Sequence, residues 1–502
     1  MISIQDLATF CKKKGFIYRN AEIYGGMAGF FDYGHLGVEL NNNIKQALWK
    51  RFVTGRDDVV GIDGSLMSPE MVFKASGHLE SFADAMLECS KCHEKVKASE
   101  VLEAELHVSV DGKPLDEVFG MVKDNKLKCP SCGHDFKEPE LFNLMFKLDV
   151  GAKEGSIAYL RPETAQSIFT NFKLVFDNAR LKLPCGIAQV GKAFRNEIAP
   201  REFLFRCREF EQFELEYFVH PEKLNGCPGF GSIADMEVNF YDNKNESVTT
   251  IGDLVQKKIF KSKWHAYWVS QFYKFFLEHG IRKEHLRIRQ HQEEELAHYA
   301  AACFDIEYKF HFGWREIHGD ADRKQFDLTQ HSKFSKTDLS VFDEETQKKV
   351  MPYVAAEPSQ GIGRAMLAFL CDAYHDDKER GNIVLKLHPK LAPIKVGVFP
   401  LLNKLDEKAR EIFDMLKEDF HCTYDKSGSV GRRYARADET GIPVCCTIDF
   451  ETLDDSCVTL RDRDSTKQVR VKISGLKEAI QRFMAGEKLE KLGTPVTKSK
   501  EE

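Results

Sequence analysis

The chain has 502 residues and a formal net charge of −6, with 42% hydrophobic and 30% charged residues. This composition is typical of a globular protein with several domains, and it excludes a generally basic nucleic-acid coat protein but not a local basic face. No apolar run approaches the roughly 20 residues that span a bilayer, the start shows no signal-peptide pattern, and the mostly scattered cysteines fit a reducing compartment, so we expect a cytoplasmic protein without a membrane segment.

The first half of the chain contains two predicted helices, a cysteine-rich segment and a region of strands. "IQDLATFCKKKGF" has helical spacing and ends at Gly15. "VELNNNIKQALWKRFV" is amphipathic, with apolar residues near helical spacing. We expect residues 89–139 to be an insertion, with two cysteine pairs on either side of a polar segment. Residues 140–220 alternate apolar and polar in short runs, which predicts antiparallel strands.

The second half begins with a loop-rich segment and ends with a separate domain. We expect residues 221–297 to be a further insertion that closes with a helix, "KWHAYWVSQFYKFFLEHG". Residues 298–390 hold more strands and a helix that starts at glycine, "GIGRAMLAFLCDAY". From Ile394 onward strand and helix alternate, which predicts an α/β domain over residues 391–490. Residues 491–502 read as a flexible, solvated tail.

The stretch "QVGKAFRNE…REFEQFELEYF" carries the first candidate site. If its two halves pair as strands, one concave surface holds Arg195, Glu197, Arg206, Phe210 and Glu214. Arginine forks bind phosphate, an aromatic face accepts an adenine ring, and a carboxylate binds an ammonium group. The pattern therefore fits a nucleoside triphosphate together with an amine. An amphipathic hairpin with a salt-bridged exposed face explains the same pattern equally well.

Two cysteine pairs, "CSKC" and "CPSCG", carry a second candidate site. Each pair presents two thiolates to one ion, and four thiolates complete a tetrahedral zinc site. A redox pair or two disulfides would fit a reducing compartment less well. We expect a structural zinc ion, because a small insertion has little core of its own. The neighbouring His93 and His134 are not needed as ligands. The predicted zinc ligands are Cys89, Cys92, Cys129 and Cys132.

Several motifs in order show a family resemblance. "FRNE…RCREF" resembles motif 2 of the class II aminoacyl-tRNA synthetases, and "EPSQGIGRAMLAFL" resembles their motif 3. Together with "EIYGG" and "YLRPETAQSIFTNF", the chain is similar to the dimeric glycyl-tRNA synthetases over roughly residues 3–480. The resemblance implies an α+β class II catalytic domain, an antiparallel sheet flanked by helices. It would comprise residues 1–88, 140–220 and 298–390, with the zinc-knuckle insertion and a C-terminal anticodon-binding domain added.

The resemblance also implies a two-step reaction, in which glycine and ATP give glycyl-adenylate and pyrophosphate before glycine is transferred to the 3′ end of tRNA-Gly. Arg195 and Arg364 would be catalytic, with Arg195 at the α-phosphate. Arg206 and Arg364 would hold the terminal phosphates, Phe210 would stack on adenine, and Glu316 would hold Mg²⁺. The full predicted ATP site comprises Arg195, Asn196, Glu197, Phe205, Arg206, Phe210, Glu316, Ile317, Gly361 and Arg364.

Glycine offers an ammonium group, a carboxylate and no side chain. By resemblance, Glu163 and Glu214 bind the ammonium group, and Glu357 and Ser359 line the same pocket. Each of these acids is also consistent with a merely structural carboxylate. The exclusion of alanine must be steric, because a site that is already filled has no room for the extra methyl group. We hypothesise that Glu163 and Ser359 fill this space.

The remaining expectations concern partners. Arg432, Arg433 and Arg436 of the C-terminal domain would contact the tRNA backbone, although mixed-charge runs are usually solvated surface. "VELNNNIKQALWKRFV" occupies the place of motif 1, which predicts a homodimer.

"VKASE" stands where many relatives have an arginine in a "YRADH"-like segment, and Lys97 is its candidate replacement. His318 and Asp320 replace smaller or apolar family residues beside Glu316 and are candidates for tuning the metal site.

Three other functions remain compatible with parts of the pattern. One is a synthetase for another amino acid. Another is a non-catalytic relative, such as the accessory subunit of the mitochondrial DNA polymerase, and the third is a zinc-containing RNA-binding protein. The "RPETAQ", "EFEQFE" and "EPSQGIGR" segments favour glycine over other amino acids. The retained ATP-site arginines and acids favour catalysis.

Overall fold

The computed structural model describes residues 2–106, 113–152 and 156–496. Within these ranges, no helix is long and apolar enough to cross a membrane. Through residue 219 the helices are α1 (Ile4–Lys14), α2 (His35–Trp49), α3 (Glu70–Ala75), α4 (His78–Ser81), α5 (Ala98–Leu106), α6 (Leu115–Asp124) and α7 (Ala165–Asn178). The strands are β1 (Ile17–Arg19), β2 (Phe31–Tyr33), β3 (Val59–Ile62), β4 (Met67–Pro69), β5 (Ala83–Glu88), β6 (Lys95–Lys97), β7 (Glu140–Asn143), β8 (Lys147–Asp149), β9 (Ile157–Leu160), β10 (Cys185–Phe194) and β11 (Glu209–Val219).

The rest of the chain alternates strands and helices more evenly. Its helices are α8 (Ile251–Gln256), α9 (Lys263–Glu278), α10 (Phe326–Ser335), α11 (Ile362–Ala373), α12 (Asp406–Leu416), α13 (Val430–Thr440), α14 (Glu451–Asp455) and α15 (Leu476–Met484). Its strands are β12 (Glu237–Tyr241), β13 (Glu246–Thr250), β14 (Leu286–Gln290), β15 (Ala302–Phe310), β16 (Gly313–Asp322), β17 (Val341–Asp343), β18 (Lys348–Val350), β19 (Tyr353–Gly361), β20 (Tyr374–Asp377), β21 (Asn382–Leu385), β22 (Val396–Pro400), β23 (Cys422–Tyr424), β24 (Val444–Ile448), β25 (Cys457–Asp462), β26 (Gln468–Lys472) and β27 (Thr494–Pro495).

A nine-stranded sheet forms the centre of the larger of the two main bodies, in the order β13-β12-β14-β15-β16-β19-β11-β10-β3. Most neighbours in it are antiparallel, and the pairs β10–β3 and β12–β14 are parallel. The fold around this sheet belongs to the α+β class, because helices cover the faces of the sheet without alternating regularly with its strands.

The two faces of the sheet differ in what covers them. On β11, the alternate residues Phe213, Leu215 and Tyr217 are fully buried in the main core, and the amphipathic or apolar helices α2, α9 and α11 pack on that side. On the opposite face, Phe218 packs with α7 in a smaller core. Of the polar residues that precede it on that face, Gln212 lines a cleft, whereas Glu214 and Glu216 are buried. This alternation follows from the two-residue period of a strand.

The segment 221–297, which we expected to be an insertion, is structurally continuous with the nine-stranded sheet. It supplies β12, β13 and β14 to the main sheet. It also supplies α9, whose aromatic residues Trp268, Phe272 and Phe276 are fully buried in the main core. The polar loops within this segment obscured the strands between them.

The cysteine insertion is larger than the sequence indicates and has a core of its own. Its three-stranded sheet, in the order β6-β5-β7, begins at Ala83 and ends at Asn143, so it extends beyond 89–139 at both ends. Leu87, Leu102 and Val118 are fully buried between this sheet and its two helices. The insertion, expected to have little core of its own, thus has a small one.

The C-terminal domain is built on a six-stranded sheet in the order β23-β22-β24-β25-β26-β27. It has a separate apolar core between this sheet and helices α12 and α15. The chain beyond 490, which we expected to be a flexible tail, still pairs with the sheet, because Arg470 of β26 lies opposite Thr494. The rest of the expected tail, 497–502, lies outside the described residues.

Candidate active site

A cleft of about 130 Å³ opens where the ends of β10, β11, β16 and β19 meet the start of α11. The hairpin that frames it is antiparallel, with Gln189 opposite Glu214 and Ala193 opposite Phe210. Motif 3 completes it, because β19 runs directly into α11 at Gly361. Most predicted ATP-site residues line this cleft: Arg195, Glu197, Phe205, Arg206, Phe210, Glu316, Gly361 and Arg364.

Two predicted ATP-site residues, Asn196 and Ile317, are not among those that line the cleft. The side chain of Ile317 is fully buried in the main core, and its carbonyl accepts a hydrogen bond from Gln360 at 2.7 Å. Asn196 lies beside the cleft, and its backbone N–H donates to the carbonyl of Leu144. Neither side chain lines the cleft, so a contact with ATP would have to come from their backbone.

Arg195 lies between two aromatic rings. Its guanidinium carbon is 5.3 Å from the ring centre of Phe210 and 5.5 Å from that of Phe82. Its Nε donates to the carbonyl of Pro162 at 3.1 Å. Stacking and this hydrogen bond fix the plane of the guanidinium and leave its Nη groups directed at the cleft.

Arg364 and Glu316 form an ion pair across the cleft. Nη1 of Arg364 lies 2.9 Å from Oε1 of Glu316, while its Nε donates to the carbonyl of Phe205 at 3.1 Å. Burial raises the pKa of Glu316, but Arg364 and more distant cations outweigh it and hold that pKa below its usual value. An ionised carboxylate beside an arginine suits a site for phosphates and a divalent cation.

Arg206 is held by an acid that sequence reasoning missed. Its Nη1 lies 2.6 Å from Oε1 of Glu100, which belongs to α5 of the cysteine insertion. Its Nε is 4.0 Å from Glu197. Lys97, the candidate replacement for the family arginine, instead pairs with Asp84 at 2.8 Å within the insertion. Only the packing of the insertion against motif 2 could reveal the role of Glu100.

Glu214 is the centre of a buried, hydrogen-bonded polar cluster beside the cleft. One carboxylate oxygen accepts from the backbone N–H of Thr164 at 2.6 Å. The other accepts from the hydroxyl of Ser359 at 2.9 Å and from Gln212 at 3.0 Å. Burial and the nearby Glu163 raise the pKa of Glu214. Ser359 and Gln212 also line the cleft, so they join the buried cluster to the cleft.

A second group of charges surrounds Arg323, which sequence reasoning did not select. Arg323 is 1% exposed and donates to both oxygens of Asp327, at 2.8 and 2.9 Å, and to Glu357 at 2.5 Å. It also lies 3.7 Å from Glu163. In "DADRKQFD", Asp327 lies four residues after Arg323, and this spacing was the signal in the sequence that the two side chains could pair.

The acids around Arg323 differ in their environments. Burial raises the pKa of Glu163, but His78 and Arg323 more than reverse this and hold it well below its usual value. Glu216 is fully buried, and neither of its carboxylate oxygens has a hydrogen-bond partner among the described residues. Burial and the adjacent Glu357 raise the pKa of Glu216 well above its usual value.

His318 and Asp320, which we considered as modifiers of the metal site, face the other side of the sheet. The ring of His318 stacks on Phe272 of α9 with their centres 4.2 Å apart, and burial lowers the pKa of His318 to about 3. Asp320 lies 3.3 Å from His265 of the same helix. Their side chains therefore belong to the core and do not reach Glu316.

Comparison with known proteins places this site in a family. The chain is 44% identical over 485 residues to the glycine–tRNA ligase of Acetivibrio thermocellus, covering 94% of this chain and 97% of that protein. It is 43% identical over 490 residues to the glycine–tRNA ligase of Clostridium kluyveri, covering 95% and 98%. The chain belongs to the glycine–tRNA ligase family.

Two further matches agree with this family. Residues 395–483 match the model of the "Anticodon binding domain", which confirms the predicted nature of the C-terminal domain. The fold matches a prolyl-tRNA synthetase from Cryptosporidium parvum, crystallised with L-proline and AMP, with a TM-score of 0.55, 12% identity and coverage of 95% of this chain and 74% of that one. The predicted class II fold is thereby confirmed.

The four predicted zinc ligands of this family member converge. Their sulfur atoms lie 3.4 Å apart for Cys89–Cys132 and Cys92–Cys132, and 3.6 Å apart for Cys92–Cys129. Tetrahedral zinc with bonds of about 2.3 Å requires sulfur separations of about 3.8 Å. The cluster is therefore compatible with zinc. The neighbouring histidines point elsewhere, since His93 pairs with Glu88 at 3.0 Å.

A second group of possible ligands, His291, Cys303 and Asp305, lies on the sheet near Glu316. Nε2 of His291 is 2.7 Å from the Asp305 carboxylate. An ordinary buried histidine–aspartate pair accounts for this contact.

The predicted tRNA-contacting arginines of the anticodon-binding domain separate into two classes. Arg432 is exposed on α13, and Arg436 is exposed but paired with Asp425. Arg433 is only 4% exposed, and it donates to the carbonyls of Pro400 and Gly428. Arg433 is therefore a structural residue, and its expected contact with the tRNA backbone was wrong.

The motif 1 segment forms α2, as its spacing predicted. Leu40, Ile44 and Leu48 are fully buried. Val38 is 40% exposed, although the same periodicity placed it on the apolar stripe. A single exposed valine does not by itself define a subunit interface.

Proposed function

We propose that this chain is an active glycine–tRNA ligase, which activates glycine with ATP and transfers it to the 3′ end of tRNA-Gly. The observation that supports this best is that Ser359 joins the arginine-lined cleft to a buried acidic cluster. Ser359 contacts the buried Glu214 and also lines the cleft of Arg195 and Arg364. An arginine-lined cleft beside an acidic cluster suits the joining of ATP to a small ammonium-bearing acid.

In the first step the carboxylate of glycine attacks the α-phosphorus of ATP and pyrophosphate leaves. The protein supplies no nucleophile, so its contribution is alignment and charge stabilisation. Arg195 contacts the α-phosphate and the attacking carboxylate. Arg206 and Arg364 hold the terminal phosphates, which become the leaving group. Phe210 carries the adenine ring on the face opposite Arg195, as stacking geometry allows.

Glu316 fits as a ligand of Mg²⁺ that accompanies ATP. Its carboxylate oxygens are hard donors, and it is ionised beside Arg364 in the cleft. Bound there, Mg²⁺ would neutralise charge on the phosphates. In its absence Glu316 keeps Arg364 oriented across the cleft. This gives the pair a function before nucleotide arrives.

The acidic cluster suits glycine because of its charge. Glu163 and Glu214 would bind the ammonium group. Glu357 lies behind them and is held by Arg323 at 2.5 Å. Thr164, Gln212 and Ser359 fix the Glu214 carboxylate, so it cannot withdraw to accept a side-chain methyl group. Exclusion of alanine then follows from this fixed wall.

Three further assignments complete the proposal. The four cysteines hold a structural Zn²⁺, supported by their convergence. The enzyme is a homodimer through the motif 1 segment, as the family resemblance implies. It works in the cytoplasm, where ATP and tRNA are available to translation.

Exchange of pyrophosphate into ATP, with a panel of amino acids, tests the proposal. We expect exchange with glycine only, and subsequent charging of tRNA-Gly. Exchange driven by serine, alanine or no amino acid would contradict the assignment to glycine. Binding of tRNA without any exchange would identify a non-catalytic relative instead.

A further inference from the structure

The contact between Glu100 and two arginines of the motif 2 loop joins the cysteine insertion to the ATP cleft. Oε1 of Glu100 lies 2.6 Å from Nη1 of Arg206 and 3.2 Å from Nη2 of Arg201. Two guanidinium groups thus converge on one carboxylate oxygen. Arginines bind a phosphate oxygen in the same way.

The loop that carries the two arginines is closed on itself. Arg201 and Arg206 form an isolated antiparallel bridge, in which the N–H of Arg206 donates to the carbonyl of Arg201 at 3.2 Å. Their side chains therefore leave the loop close together. A single anionic oxygen is enough to hold both.

The Glu100–Arg206 half of the contact is partly shielded from solvent, whereas the side chain of Arg201 is 48% exposed. The side chain of Glu100 is 14% exposed and that of Arg206 is 26% exposed. Burial raises the pKa of Glu100, although Arg201, Arg206 and Lys97 act against it. Since screening by water is incomplete here, removing the charge of Glu100 has more effect than at an exposed ion pair.

Arg206 lies at the boundary of two spaces. It lines the ATP cleft and also a wider groove of about 830 Å³ that includes Arg201. In the proposed function its guanidinium binds the terminal phosphates of ATP. A terminal phosphate and the Glu100 carboxylate would then need the same N–H groups.

We propose that Glu100 substitutes for the terminal phosphate of ATP in the nucleotide-free enzyme and is displaced when ATP binds. The inference rests on the proposed function, and within it on Arg206 as a ligand of the terminal phosphates. It makes the cysteine insertion a regulator of ATP affinity. Glu100 keeps the two arginines together until the nucleotide arrives, at the expense of some ATP affinity.

The opposite role, in which Glu100 stays in place and positions Arg206 for ATP, has the opposite consequence. In that role its hydrogen bonds hold Arg206 in the orientation that ATP needs, and losing them frees the arginine. Under displacement, removing the charge of Glu100 strengthens ATP binding. Under positioning, the same change weakens it. The sign of the change in affinity therefore separates the two roles.

The experiment is titration calorimetry of the full-length protein with ATP and with AMP. The variants are Glu100→Gln, which keeps a hydrogen-bond acceptor without charge, and Glu103→Gln, which removes an exposed charge from the same helix. We expect Glu100→Gln to bind ATP about 3- to 10-fold more tightly, consistent with loss of one partly buried competing charge. AMP affinity should not change, because AMP lacks the terminal phosphates.

Unchanged or weaker ATP binding by Glu100→Gln would overturn the proposal, as would equal tightening of AMP or an equal effect of Glu103→Gln. Glu100→Ala, which removes the acceptor as well, provides a second test if the glutamine variant does not fold. Failure of the proposed function would be visible separately. The wild-type protein would then bind ATP but show no glycine-dependent exchange.

Discussion

The hydroxyl of Ser359 donates to Oε1 of Glu214 at 2.9 Å, across the junction of β19 and β11. The two residues are directly opposite in the strand register, Glu214 beside Ser359. A serine of motif 3 thus orients an acid of motif 2. The proposed site for the ammonium group therefore depends on strand pairing and on both motifs at once.

Replacing Ser359 tests this arrangement. Ser359→Ala removes a donor to a buried carboxylate, so we expect KM for glycine to rise about 5- to 20-fold with little change in KM for ATP. Pyrophosphate exchange measures both constants. For Ser359→Gly, we expect either exchange with alanine or intact specificity. If the exclusion of alanine is unchanged, Ser359 has no steric role.

Removing the charge of Arg364 should impair the activation step. We expect Arg364→Ala to lower kcat/KM for ATP in glycine-dependent exchange at least about 100-fold, since it removes stabilisation of developing charge on the phosphates. Arg315→Ala is a matched control, because Arg315 is exposed on the strand that carries Glu316. A similar loss in both variants would show that the effect is not specific to the cleft.

The four cysteines should bind one zinc ion per chain. We expect Cys89→Ser to lose zinc, measured by elemental analysis, and to lower the melting temperature of the insertion by several degrees, because the metal closes its small core. Cys457→Ser, at a half-buried thiol of the C-terminal domain, should retain the full zinc content. Zinc that persists in Cys89→Ser would place the ion elsewhere.

Glu216 should make stability depend on pH. The pKa of this buried carboxyl is raised above its unfolded value, so the unfolded chain loses its proton at a lower pH than the folded protein. Stability from this group is therefore present at low pH and falls as pH rises above about 4.5 towards the folded pKa, by up to about 1.4 kcal/mol per pH unit.

Glu216→Gln keeps the shape of the side chain without the titration. We expect its melting temperature, relative to wild type, to increase between pH 5 and pH 8. Glu222→Gln, at an exposed position just beyond β11, should show no such trend. A constant difference between Glu216→Gln and wild type across this range would mean that Glu216 is not held neutral.

The arginines of α13 should respond differently to substitution. We expect Arg433→Ala to lower the melting temperature, because it removes hydrogen bonds to two backbone carbonyls from a residue only 4% exposed. Arg432→Ala should leave stability unchanged and weaken tRNA charging, with exchange unaffected. If charging is also unaffected, the exposed arginine does not contact tRNA.

The sequence by itself determined the family, the class II fold, the anticodon-binding domain and most of the cleft. This was possible because each motif is short and its residues are fixed locally: a strand places every second residue on one face, and Gly361 begins a helix directly after β19. The cysteine pairs could also be recognised from the sequence, because each short knuckle contains two of the four predicted zinc ligands.

Only the tertiary structure decided how distant segments meet. The ring of acids around Arg323, the contact of Glu100 with Arg206, and the burial of His318 and Arg433 each depend on elements far apart in the chain. Residue type and local spacing do not reveal which face of a strand or helix another element will cover. Burial and charge pairing are properties of the packed chain, and they determine which of these polar residues act in the site and which hold the fold together.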